Sequence, residues 1–238
     1  MKYIGVDGCR AGWFMFGLDE AGRNAFKLLQ HIDELDAYLA AAQCILIDIP
    51  IGLLRRETQE RACDKQARKI LGRPRGSSVF AAPSRCALHC KTYQAANARN
   101  IACTGRGLSR QCFGILTKIR EVDAYLDTLD RRRKIHEMHP ELCFWALNQN
   151  RAMGNNKKTI EGFDQRLAIL TRHYRQAQDA ISTALQQYPR SMLARDDIVD
   201  ALVGAVTARY AQPLRRFPEN PTQDEKGLVM EIVYPGKT

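Results

Sequence analysis

The sequence predicts an α/β fold built on a mixed five-stranded sheet, with three antiparallel strands first, parallel strands after them, and helices on the flanks. Three observations carry this. Three short apolar runs joined by tight turns open the chain. A helical stripe then leads into a wholly apolar run. A further apolar run follows a second helical stripe near the middle of the chain.

Residues 2–6 form the first run, which ends at Asp7-Gly8, and residues 13–18 form the second. Asp19-Glu20-Ala21-Gly22 reads as a turn into a third strand over 25–29. Strands this short with turns this tight form an antiparallel meander. Ile32, Leu35, Leu39 and Ala42 follow at spacings of 3, 4 and 3, one face of an amphipathic helix. Residues 44–49 read as a buried strand closed by Pro50 and Gly52. A helix leading into a fully apolar strand signals parallel pairing. Residues 57–71 read as a strongly basic helix, and 72–85 as a loop rich in Gly, Pro, Ser and Arg. Ile115, Ile119, Val122, Leu126 and Leu129, spaced 4, 3, 4 and 3, give another helix. The basic run 131–134 leads into a fifth strand over 135–138. A polar loop at 148–158, helix over 163–187, a core helix over 196–210 and a terminal strand over 227–234 complete the reading. The expected organisation is one domain, 1–238, with residues 53–130 as a loop and helical insertion within it.

Composition narrows the function. With 45% hydrophobic and 26% charged residues the chain is an ordinary globular one, which excludes wholesale disorder. Lys and Arg number 36 against 26 Asp and Glu, a net charge of +10 that favours nucleic acid or another phosphate-rich anion as partner. The longest apolar run, near 44–54, contains Asp48 and is too short to span a bilayer, so no membrane is expected. Asp7 and Arg10 interrupt any signal-peptide core. Eight cysteines without such a signal read as reduced thiols, hence a cytoplasmic protein. The oligomeric state stays open, a homodimer included.

Several acidic residues sit where the pattern calls for apolar ones. Asp7 ends the first strand, and Asp48 lies inside Ile45-Leu46-Ile47-Asp48-Ile49. In open α/β sheets the ligand crevice lies at the carboxyl ends of the strands. If these two strands are parallel neighbours, their carboxylates lie side by side and repel, and a divalent cation such as Mg²⁺ removes the conflict. Asp197 and Asp200, three apart, share a face of the last helix, which continues through Ala201, Gly204 and Ala208. Small residues there let the helix approach the sheet and bring both aspartates near Asp7 and Asp48, with Asp196 free to cap the helix. Glu137 or Glu141 would complete an acidic cluster. Convergent carboxylates of this kind suit two-metal phosphoryl chemistry. His136-Glu137-Met138-His139 is not a zinc-protease motif, which needs two histidines four apart.

Gly5-Val6-Asp7-Gly8-Cys9-Arg10 and Ile47-Asp48-Ile49-Pro50-Ile51-Gly52 resemble the family known as domain of unknown function 429. So do Cys63-Asp64 with Ala67-Arg68, Ser77-Ser78-Val79-Phe80 with Ala82-Pro83 and Arg85, Glu137 with His139-Pro140-Glu141, and Asp196-Asp197 with Asp200-Ala201. The resemblance covers about residues 2 to 210 and departs at Ala11, where the family pattern has Gly. It implies a ribonuclease-H-like fold and a nuclease. Within that fold Holliday-junction resolvases end in a helix with two aspartates three apart, and Asp197 and Asp200 are similar to that pair. By resemblance Asp7, Asp48 and Asp197 or Asp200 would hold Mg²⁺ or Mn²⁺.

The segment from Arg55 to Arg75 is crowded with Arg and Lys, Arg68 among them, and reads either as a phosphate-contacting arm or as a solvated face whose Arg61, Asp64 and Arg68 form ion pairs. Arg10 and Arg85 fall in the loops nearest the predicted site. Ser77 and Ser78 beside Gly76 offer hydroxyls and backbone N–H groups to a phosphate, although no P-loop is present. Cys86, Cys90, Cys103 and Cys112 with His89 fit no standard zinc spacing. Trp13 and Trp145 read as core, with base stacking the alternative. The expected function is a metal-dependent nuclease using Asp7, Asp48, Glu137, Asp197 and Asp200. A small-molecule phosphotransferase or phosphohydrolase of the same fold, and an inactive nucleic-acid-binding module, are the alternatives.

Overall fold

The structure is a computed structural model and describes residues 1–210 and 213–236. The opening apolar runs form β1 (Tyr3–Cys9), β2 (Gly12–Leu18) and β3 (Asn24–Leu29), an antiparallel meander with Asp7 opposite Phe14. β4 (Cys44–Ile47) lies parallel to β1 on its other side, with Val6 opposite Ile47. β5 (Ile135–Glu137) lies parallel to β4. The order β3-β2-β1-β4-β5 puts β1 at the centre of the sheet, which is why Ile4, Val6, Ile45 and Ile47 are fully buried. β4 is flanked by β1 and β5 and covered on both faces, so its sequence is apolar without alternation.

Alternate residues face opposite layers. Phe14, Phe16, Cys44 and Leu46 pack beneath the helix Arg195–Tyr210, which closes one face. Val6, Trp13, Met15, Ile45 and Ile47 pack against the helices that lie between β4 and β5 in the chain, chiefly Leu116–Tyr125. The closing helix is buried from Ile198 to Ala208 and therefore shows no polar stripe. It crosses β1 at unusual proximity. A Cβ on Gly5 would lie 2.0 Å from the Ala201 carbonyl oxygen and 2.4 Å from the Ala205 nitrogen, and one on Gly204 would lie 3.0 Å from the Gly5 Cα.

Several predicted boundaries move. The stripe over 32–42 forms a 3₁₀ turn, Ile32–Leu35, and one helical turn, Asp36–Leu39, because the Gln43 N–H already donates to the Lys2 carbonyl at the edge of the sheet. The basic helix begins at Ala62 rather than 57, since Arg61 turns into the interior. Its regular geometry stops at Gly72 (φ 53°), where the predicted loop begins. The stripe over 115–129 divides into Leu116–Tyr125 and Leu129–Lys134 across a non-helical Leu126. The helix expected over 163–187 divides into Ile160–His173 and Ala177–Gln187, with Tyr174 extended and its hydroxyl accepting from Asn24. The terminal strand is β7 (Val229–Tyr234), paired antiparallel with β6 (Arg215–Gln223). β6 escapes sequence reading because Arg215-Arg216-Phe217-Pro218-Glu219-Asn220-Pro221 has no apolar alternation. The hairpin joins the sheet region through a bridge from Met138 to Val233. Among the described residues no helix is long and apolar enough to cross a membrane.

Candidate metal centre

Asp7 and Asp48 occupy matched positions on neighbouring parallel strands, one step beyond the Val6–Ile47 pair. The Asp48 N–H donates to the Val6 carbonyl at 2.9 Å, which continues the ladder past the end of β4. Both side chains rise on the face of Gly5 and Leu46, toward the closing helix. That helix brings down Asp200, the residue before Ala201, whose carbonyl rests on Gly5. The result is a cluster in which Asp7, Asp48 and Asp200 each offer one oxygen, all within 4.8 Å of one another. The packing of glycine against small residues thus sets the geometry of the acids.

The electrostatics are adverse without a cation. Burial, then the charges of Asp48 and Asp200, hold the Asp7 carboxyl well above the ordinary aspartate range. Burial and the charge of Asp200 push Asp48 up to about 7. Burial raises Asp200 as well, against the pull of Lys157. Lys157 Nζ stands 2.5 Å from Asp200 Oδ2 and 3.7 Å from Asp196 Oδ2.

A pH dependence follows. A carboxyl whose folded pKa lies above its unfolded value binds its proton more tightly in the folded state. Its favourable contribution is complete below the unfolded pKa and is lost as pH rises through the folded one. For Asp48 the window runs from 3.8 to about 7. Metal-free protein is therefore expected to gain thermal stability between pH 8 and pH 6, and Asp48→Asn to lose that gain. A pH-independent melting temperature over this range in wild type would contradict the repulsion described here.

The three acids line one side of a cavity of about 350 Å³. Ser77, Ser78, Phe80, Lys118 and His139 line other parts of it. Ser77 and Ser78 use their hydroxyls locally, donating to the Pro74 and Arg75 carbonyls, so their reach into the cavity is partly committed. His139 keeps its Nδ1 buried without a partner, and burial depresses its pKa.

The remaining predicted residues separate from the cluster. Asp197 Oδ2 accepts the Ala194 N–H at 3.0 Å, so Asp197 caps the helix that Asp196 was expected to cap. Burial still lifts Asp197 to about 6. Glu137 lines the cavity but accepts two bonds from Arg61, each 2.8 Å, and one from the Ile51 N–H at 2.6 Å. Glu141 also lines the cavity, where its charge acts on Asp48 and Asp200, and it pairs with Arg166, leaving Oε2 buried and unpartnered. Neither glutamate belongs to the group with ligand spacing that the three aspartates form. Arg68 is spent on Glu60 and the Val79 carbonyl. Arg85 is held by Asp123 and Asp224 outside the cavity lining. Arg10 stands exposed in the β1–β2 turn. Trp13 is core, fully buried under Lys118. Trp145 packs edge-on against Tyr234. Among the described residues the aspartate trio is the group with metal-ligand spacing, and Cys86, Cys90, Cys103, Cys112 and His89 form none.

Sequence reading missed Lys157. It lies in a polar loop beside Lys158 with no periodicity to mark it, and only its placement over Asp200 distinguishes the two.

Fold and site together define an α/β protein on a mixed five-stranded sheet of order β3-β2-β1-β4-β5, with carboxylates side by side on two adjacent parallel strands and on the helix that covers them. The family model described as "Protein of unknown function (DUF429)" matches residues 5–223, and the chain belongs to that family. No curated protein and no solved structure matches it.

Proposed function

We propose that this protein is a divalent-metal-dependent phosphodiesterase acting on nucleic acid in the cytoplasm. The observation that supports it best is the buried trio Asp7, Asp48 and Asp200, three mutually repelling carboxylates with oxygens within 4.8 Å at the wall of a cavity. Hard oxygen donors of this kind fit Mg²⁺ or Mn²⁺. The ion, when bound, supplies Lewis acidity and lowers the pKa of water. The chain's own part is to fix the three oxygens through the β1–β4 register and the closing helix, and to exclude bulk water beneath that helix. Lys157 beside Asp200, Lys118 and the backbone around Ser77 and Ser78 give the cavity lining its attraction for phosphate. The +10 net charge favours encounter with a polyanion.

Asp7→Asn is expected to fold, to melt no lower than wild type without metal, and to lose Mn²⁺-dependent cleavage of labelled DNA and RNA by at least about 100-fold, since preorganised electrostatic groups carry effects of that order. Retained cleavage, or loss of fold, would count against the reading. The cavity also suits a second reading, a phosphohydrolase of a small phosphorylated molecule, because about 350 Å³ lies in the range of small-ligand sites. Mn²⁺-dependent phosphate release from nucleotides or sugar phosphates, without cleavage of polymers, would favour it.

A further inference from the structure

Lys157 is placed by construction rather than by chance. Its loop is fastened from several directions. Arg75 donates to the Met153 and Gly154 carbonyls at 2.8 and 2.9 Å. Arg166 donates to the Asn155 carbonyl at 3.2 Å, and the Asn155 N–H donates to Gln165 at 3.3 Å. Gly162 lets the next helix lie against the loop so closely that a Cβ there would meet the Asn156 oxygen at 1.8 Å. Thr159 caps that helix through the Gly162 N–H. The loop so held sends one ammonium group to Asp200 Oδ2 at 2.5 Å, while the lysine side chain stays 35% exposed and lines the cavity.

Charge and space at this point favour one metal ion rather than two. Within the ligand trio, three carboxylates and the Lys157 ammonium group leave the charge that a single divalent ion matches, while Asp196, 3.7 Å from the ammonium group, is partly exposed and outside the trio. A second divalent ion at Asp200 would have to compete for a carboxylate oxygen already in contact with an ammonium group, against the repulsion of that cation. We propose that Lys157 is a tethered cation standing where a second divalent ion would bind, so that the centre works with one ion and one ammonium group. In that arrangement Lys157 donates an N–H bond to a non-bridging phosphate oxygen of the substrate. A strongly hydrated point charge on a flexible stem can turn from Asp200 to that oxygen without leaving the site.

This inference rests on the metal-dependent reading above, and its test separates the two. Mn²⁺ is titrated into the full chain, with bound ion counted by calorimetry and by electron paramagnetic resonance. Wild type and Lys157→Arg are expected to bind one Mn²⁺ per chain. Lys157→Met is expected to bind two, the first more than about tenfold more tightly, since removing a like charge a few ångströms from a divalent ion is worth at least that factor even at the dielectric of water. Lys157→Gln, which keeps the loop polar, makes the same measurement if the methionine variant does not fold. Two ions in wild type would overturn this inference and leave the metal-dependent reading standing. One ion in Lys157→Met, whether tighter or unchanged, would also overturn it. No Mn²⁺ bound by wild type would overturn both.

Discussion

Gly5→Ala is expected to destabilise the protein by about 3–5 kcal/mol, at the upper end of single substitutions. The new Cβ would lie 2.0 Å from the Ala201 oxygen, 2.4 Å from the Ala205 nitrogen and 2.8 Å from the Gly204 carbonyl carbon. All three are backbone atoms, so no side-chain rotation relieves the overlap, and the closing helix must lift from the central strand. Overpacking alone costs about 1–3 kcal/mol when side chains can adjust. Here the lift also loosens a helix buried on every side between Ile198 and Ala208. Because Asp200 rides on that helix, Mn²⁺ binding should weaken in any Gly5→Ala protein that remains folded. Gly114→Ala is the control, since a Cβ there meets nothing within 4 Å. Urea unfolding of both variants decides the matter, and a Gly5→Ala loss below about 1 kcal/mol would refute the close-approach account.

Arg61→Met is expected to cost a similar amount, about 3–5 kcal/mol, for a different reason. Arg61, Asp64 and Glu137 are 4%, 1% and 5% exposed. Arg61 Nη2 lies 2.5 Å from Asp64 Oδ1, and the same guanidinium takes both oxygens of Glu137 and the carbonyls of Ile51 and Gly52. Asp64 in turn accepts the Ala82 N–H. One guanidinium therefore ties the turn after β4, the end of β5, the start of the helix Ala62–Arg75 and the segment near Ala82 into a single wall of the cavity. Its removal leaves two carboxylates buried without a cation. Burial already pushes Glu137 up to about 7 with Arg61 in place. Without Arg61 it moves higher, so protonation at acid pH relieves part of the cost, and the loss at pH 5 should be clearly smaller than at pH 8. Equal losses at both pH values, or a loss under about 1 kcal/mol, would show that the guanidinium does not hold this wall together.

The central aspartates were legible because they violate a local pattern. Asp48 interrupts an apolar run whose neighbours are buried, and Asp7 closes the apolar run 2–6 inside a strand that continues to Cys9. Asp197 and Asp200 could not be told apart by spacing, since both lie on one helical face. What separates them is a backbone N–H at Ala194 for one and the cavity for the other. Glu137 looked like a ligand for the same reason as Asp48, a charge in an apolar strand. Its charge is answered by Arg61, a residue 76 positions earlier, and no spacing rule reaches that far. The arginines Arg68 and Arg85 illustrate the converse. Both are rich in donors and near the site in sequence, yet each is occupied by acids and carbonyls that only the fold brings to them.

By itself the sequence determined the strand order of the meander, the parallel turn into β4, the small-residue face of the closing helix and the presence of out-of-place acids. Each of these is written in the period of side chains along one element, and periodicity is a local property. Only the tertiary structure decided which acids meet, which are neutralised and which cation stands beside them. Those outcomes depend on distances between elements far apart in the chain. A buried charge is tolerated or not according to the partner that packing supplies, and among the described residues packing supplies arginine to Glu137 and Glu141, a lysine to Asp200, and no arginine to Asp7 or Asp48.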